Sequence, residues 1–174
     1  IHRAETMNIS VPPNNALCKL PFYIPDERDE AGSFAHERTH DVHTGVDIFL
    51  PEGTPIYALA AGVVVWKGPF TGKQADSDWW EDTWAVAVFS KDRVIIYGEL
   101  FEQPNLETGT ILLKNHFVGY VKRVLKVPKG RPMSMLHLEE YNPMTFTEPV
   151  VWNRGETMPV GLRNPIPFLT EVLT

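Results

Sequence analysis

Cysteine is nearly absent from these 174 residues. Cys18 stands alone, so no intrachain disulfide can hold the fold, and the redox compartment stays open. Positive charge is scarce as well: 16 Lys and Arg face 22 Asp and Glu, a formal charge of -6. Without a basic patch to displace counterions, a nucleic-acid backbone is not expected as a partner. The longest nearly apolar run, Ile56 to Trp66, falls well short of the roughly 20 residues a membrane helix needs, so no membrane insertion is expected. No signal peptide is seen in the opening IHRAETMNIS, which lacks an apolar stretch of the needed length. Ser10, Ser33, Ser77, Ser90 and Ser134 lie in no G-x-S-x-G elbow, which removes support for a serine hydrolase. Nor does any stretch carry a sustained helical period.

The composition that remains, 43% hydrophobic and 22% charged, is that of a soluble globular chain long enough for one domain. Fifteen prolines exceed the usual share of about 5% and point to strands and irregular connections. Residues 1–42 read as a polar N-terminal arm packed on the body, with one short strand near Leu20 to Ile24. From His43 the pattern changes to strands divided by turn residues: HTGVDIFLP, a turn at Pro51–Glu52–Gly53, then TPIYALAAGVVVWKG. A long polar loop is expected from Gly68 to Thr83, carrying Trp79 and Trp80. The strands WAVAVFS and RVIIYGEL follow, split by Lys91–Asp92, and then GTILLKNHFVGYVKRVLKV and SMLHLEEY. The core is thus expected over 43–141, with an irregular Pro-rich segment of the same domain over 142–174. Period-two patterning predicts an all-β fold of antiparallel sheet.

Two places carry ligand chemistry. In HTGVD, His43 and Asp47 stand four apart, where Gly45 and β-branched neighbours disfavour a helix. In a straight strand the pair would lie about 13 Å apart, too far for one ion, unless the chain bends at Gly45. In SMLHLEEY, alternation sets Met135, His137 and Glu139 on one face and Leu136 and Leu138 on the other. Two imidazoles and a carboxylate make a sound catalytic zinc set with a fourth position for water. Spacing alone does not bring His137 to the first pair.

A resemblance supplies that link. HTGVDIFLPEGTPIYALAAGVVVWKG resembles the HxGxD ligand motif, turn and "A-x-x-x-G-x-V" strand of the lysostaphin/LytM-type peptidoglycan endopeptidases. RVIIYGEL is similar to their "Y-x-H-L" strand, GTILLKNHFVGYV to their glycine-spaced segment, MLHLE to their closing "H-x-H-F-E", and NPIPFL to their proline-containing finish. The likeness implies a zinc-dependent peptidase with His43, Asp47 and His137 as metal ligands and peptidoglycan peptides as substrate. It also implies an extracellular or periplasmic setting, or a phage-associated origin.

The departures are specific. Glu99 stands in YGEL, and Met135 at the first place of "H-x-H", where family members carry helper histidines. Methionine moves no proton. Glu99 is a candidate general base, or a fourth ligand that would close the site; Tyr97, expected on the same strand face, is a candidate hydroxyl for an oxyanion. His36 and His40 are candidate substitutes for the missing pair, against a solvated reading, and His116 reads as a surface turn residue. Trp79, Trp80 and Trp84 either wall a groove or pack their loop. Two functions follow: a zinc metalloendopeptidase, or a catalytically degenerate relative that binds metal and recognises peptidoglycan or a partner.

Overall fold

The computed structural model describes residues 8–174; the first seven residues of the expected arm lie outside the described residues. Eleven strands, a short 3-10 turn at Lys73–Ala75 and one α-helix follow in chain order. They are β1 (Asn8–Val11), β2 (Phe22–Pro25), β3 (Val46–Phe49), β4 (Pro55–Tyr57), β5 (Gly62–Thr71) and β6 (Thr83–Ser90). After these come β7 (Arg93–Leu100), β8 (Ile111–Leu112), β9 (Phe117–Tyr120), β10 (Met135–Tyr141), β11 (Leu162–Arg163) and α1 (Ile166–Leu173).

A seven-stranded antiparallel sheet dominates, in the order β11-β10-β7-β6-β5-β8. On the far edge of β10, β3 takes the first half and β11 the second, with His137 opposite Asp47 and Tyr141 opposite Leu162. Two-stranded sheets β1–β2 and β4–β9 complete an all-β architecture of the expected antiparallel kind. None of the helices among the described residues is long and apolar enough to cross a membrane.

Because successive strand side chains alternate, the sheet has two apolar faces. Val46, Ile48, Val86, Val88, Ile95, Tyr97, Leu136 and Leu138 point into the main core, joined by Val11, Leu17, Cys18 and Ile24 from the N-terminal segment. Ala85, Ala87, Val94, Ile96 and Tyr141 face a second cluster, roofed by Ala35, Val42 and Trp152. Burying a face of such side chains contributes about 25 cal/mol per Å² of apolar surface, the main force flattening both layers onto the sheet.

Two expectations need correction. The loop placed at Gly68 to Thr83 begins later, because β5 runs on to Thr71 and pairs Gly68 with Ala85 and Pro69 with Trp84. There β5 has lost β8, which pairs only Gly62 and Val63, and a free edge tolerates the missing N–H of proline. The C-terminal segment is not wholly irregular. Residues 166–173 form α1, eight residues whose period is too short to stand out, with Phe168, Leu169 and Leu173 buried. Asn164 Oδ1 accepts from the Ile166 N–H at 3.0 Å, replacing a bond the first turn lacks.

Candidate metal centre

His43 lies just before β3 and Asp47 within it, and the bend between them has a packing cause. A Cβ at Gly45 would stand 2.2 Å from the Leu138 carbonyl oxygen and 2.9 Å from His137 Nε2. Only glycine lets the chain press this close to β10. The approach folds His43 back over Asp47, and the pair that a straight strand would separate meets, Nε2 to Oδ1, at 3.2 Å. Antiparallel pairing of β10 with β3 adds His137, whose Nδ1 stands 2.9 Å from Asp47 Oδ1 and 3.2 Å from His43 Nε2. All three residues are buried.

Each imidazole is turned by a bond at its other nitrogen. His43 Nδ1 donates to the Ser33 carbonyl at 2.8 Å, which turns Nε2 towards the cluster, where a metal would take its lone pair in place of the proton shared with Asp47. His137 Nε2 donates to Glu139 Oε2 at 2.7 Å, leaving Nδ1 inward. Glu139 was placed on the face of His137 by alternation but not singled out as a site residue. Its carboxylate also accepts from Thr44 Oγ1 at 2.6 Å and from the Tyr141 hydroxyl at 2.5 Å. The Phe70 ring covers the flank of His137, with centroids 5.2 Å apart.

The donor set fits a small borderline cation. Tetrahedral zinc with bonds of about 2.0–2.1 Å needs donors about 3.3 Å apart. The triangle's edges of 2.9–3.2 Å lie a few tenths short of that, so slight spreading would seat an ion. Among the described residues this trio is the group of His, Cys, Asp and Glu side chains whose ligand atoms converge for a metal. Electrostatics agree with the geometry. Burial by itself would raise the Asp47 pKa, yet the charge of His43 and hydrogen bonds from both imidazoles hold it well below the usual carboxylate range. Burial would lower His137, but bonds to Asp47 and Glu139 push it up to about 10.

Glu99 is 8% exposed, and its Oε2 is buried without a hydrogen-bond partner. Burial first, then the Asp47 charge, push its pKa up to about 8; His137, Arg38 and Arg131 pull the other way. The expectation that Tyr97 shares its face is corrected. Between the pairs Val86–Tyr97 and Trp84–Leu100, two residues of β7, Gly98 and Glu99, stand against Ala85 alone. That bulge, with Glu99 at φ 65°, breaks the alternation. Tyr97 packs in the main core opposite Leu138, and its hydroxyl accepts from the Leu59 N–H at 3.0 Å. The geometry therefore keeps Tyr97 away from the ligand face.

Met135 opens β10 opposite Phe49 and is buried. His36 Nδ1 bonds the Arg28 carbonyl at 2.8 Å, His40 is exposed, and His116 accepts from the Leu113 N–H in an exposed turn. Trp80 lies under Lys129, 4.9 Å from its ring centroid, and Trp79 is exposed.

No protein-family model and no curated sequence matches the chain. Solved structures do. The catalytic domain of lysostaphin, the antimicrobial peptidase from Staphylococcus simulans, matches with TM-score 0.53 and 17% identity, over 81% of this chain and 90% of that one. The catalytic domain of the prophage-encoded M23 protein EnpA from Enterococcus faecalis gives 0.52 and 18%, over 83% and 89%. LytU gives 0.52 and 20%, over 81% of each chain. The chain has the lysostaphin-type M23 peptidase fold.

Proposed function

We propose that this domain is a zinc metalloendopeptidase that hydrolyses peptide bonds of bacterial peptidoglycan, working outside the cytoplasmic membrane or from a phage particle. The observation that carries the reading is the trio of buried donors, 2.9–3.2 Å apart, with both imidazoles turned inward by bonds at their far nitrogens. A purely structural packing of two imidazoles on a carboxylate has no need of that orientation. His43 Nε2, Asp47 Oδ1 and His137 Nδ1 would hold the zinc, which when bound polarises a carbonyl and lowers the pKa of its water towards about 7.

Glu99 is the group assigned to take the proton. Its unpartnered Oε2 is a buried oxygen with free hydrogen-bonding capacity, and a carboxylate can serve as a general base. Met135 leaves one helper place without proton chemistry, so the reaction would run with a single acid–base residue.

A second reading rests on the same oxygen. If Glu99 closes the coordination as a fourth ligand, the site is structural and the domain binds peptidoglycan or a partner without cutting it. The two readings separate in one experiment: incubation of the zinc-loaded protein with purified cell walls, reading released amines. The peptidase releases them and loses this with Glu99→Gln while keeping its zinc. The structural reading gives no release, and Glu99→Gln weakens zinc binding.

A further inference from the structure

A buried polar chain runs away from the cluster, on residues the reaction itself does not use. From His137 it passes through Glu139 to Tyr141 along one face of β10, at 2.7 and 2.5 Å. The Tyr141 hydroxyl donates to Glu139 and accepts from the Val150 N–H at 3.1 Å. Val150 belongs to the connection between β10 and β11. Two residues on, the Trp152 carbonyl accepts from the Val42 N–H at 2.8 Å, and Asn153 bridges Asp41. The same short stretch therefore braces both imidazoles: His137 through Tyr141 and Glu139, and His43 through the backbone beside it. Thr44, next to His43, closes the ring by donating to Glu139 Oε2 at 2.6 Å.

Glu139 and Tyr141 are 1% and 2% exposed, so neither bond has water as a substitute. A carboxyl group this deep holds one orientation only while its hydrogen-bond partners stay in place. Loss of the tyrosine hydroxyl leaves Oε1 of Glu139 and the Val150 N–H both unsatisfied. Glu139 would then turn, and His137 with it.

We infer that Tyr141 is a positioning residue for the metal, coupling the seating of residues 150–153 to the orientation of His137 through Glu139. The inference rests on the zinc reading above but not on peptide hydrolysis. The 142–161 connection thus acts as a clamp on the cluster rather than as a passive tail.

The test uses the full chain and the metal alone. Zinc affinity is measured by competition with a chromophoric chelator, and the cobalt-loaded protein supplies a visible spectrum that reports ligand geometry. Tyr141→Phe keeps the ring and its packing on Phe146, whose centroid lies 5.0 Å away, and removes the hydroxyl alone. About 10- to 100-fold weaker zinc binding and a changed cobalt spectrum are expected, the usual cost of losing an outer partner of a ligating histidine. Phe146→Leu disturbs the same packing but spares the hydrogen bonds, and should leave affinity within about twofold. Where Tyr141→Phe does not fold, Thr44→Val tests the other donor to Glu139 with the same expectation. Wild-type affinity and spectrum in Tyr141→Phe would overturn the coupling, as would an equal loss in Phe146→Leu. A wild type that binds zinc but cleaves no cell wall overturns the peptidase reading and leaves the clamp standing; one that binds no zinc overturns both.

Discussion

The two sides of the candidate site are built to opposite rules. On the ligand side every polar group has a partner: His43 has Ser33, His137 has Glu139, and Glu139 has Thr44 and Tyr141. On the β7 side Glu99 is buried too, yet one of its oxygens bonds nothing, and its backbone sits at φ 65°. Buried polar groups are nearly always satisfied, since an unmet one costs roughly 1–3 kcal/mol. Under the peptidase reading proposed above, the bare acid is the one kept for a proton that arrives with the substrate water. The contrast is between a wall of fixed, fully bonded groups and a single acid with an open oxygen.

The largest effect expected from breaking the ligand side is at Gly45. Gly45→Ala puts a methyl 2.2 Å from a strand carbonyl, and backbone cannot step aside as a flexible side chain would. Loss of about 3 kcal/mol or more is expected in chemical denaturation, with zinc binding abolished. A variant of native stability would mean that β3 and β10 are not pressed together as described.

Next comes the bare side. Glu99→Gln should keep the zinc and cut turnover on cell-wall peptides by about 10²–10⁴-fold. In the metal-free protein the same change has a pH signature. Folded Glu99 has a pKa of about 8 against an unfolded value near 4.5, so between these values the folded state binds more protons. Stability of the wild type should therefore fall as pH rises through that window, and Glu99→Gln should flatten the slope. Thermal melts in the presence of a chelator check this; parallel curves would remove Glu99 from its buried, crowded setting.

The smallest effect sharpens the contrast by showing what is not in the site. Tyr97→Phe loses one acceptor, for the Leu59 N–H, and should cost on the order of 1 kcal/mol with turnover unchanged. A fall in turnover beyond the stability loss would return the hydroxyl to the chemistry.

The strands were legible in the sequence because their alternation is strong and their turns carry Pro, Gly and Asp; β6 and β7 match WAVAVFS and RVIIYGEL within a residue. That His43, Asp47 and His137 converge was legible only through motif order, since no spacing rule brings residue 137 to residues 43 and 47. Tyr97 went wrong for a physical reason. Alternation counts residues, and a bulge adds one without marking the sequence, Gly98 being its one trace. Glu139 carried a signal that went unused: it lies two residues from His137 on a strand, where a carboxylate can reach a ligand's far nitrogen. Helix α1 was hidden by its length and by the prolines at 165 and 167, which favour a first helical turn as readily as they break an interior one.

The central claim is that His43, Asp47 and His137 form one metal site. Calorimetric titration of the metal-free protein with zinc tests it most directly. One zinc per chain is expected, bound tightly by the wild type, with binding abolished in Asp47→Ala while the fold, followed by circular dichroism, remains β. A wild type that takes up no zinc, or an Asp47→Ala variant that binds it as tightly, would contradict the account.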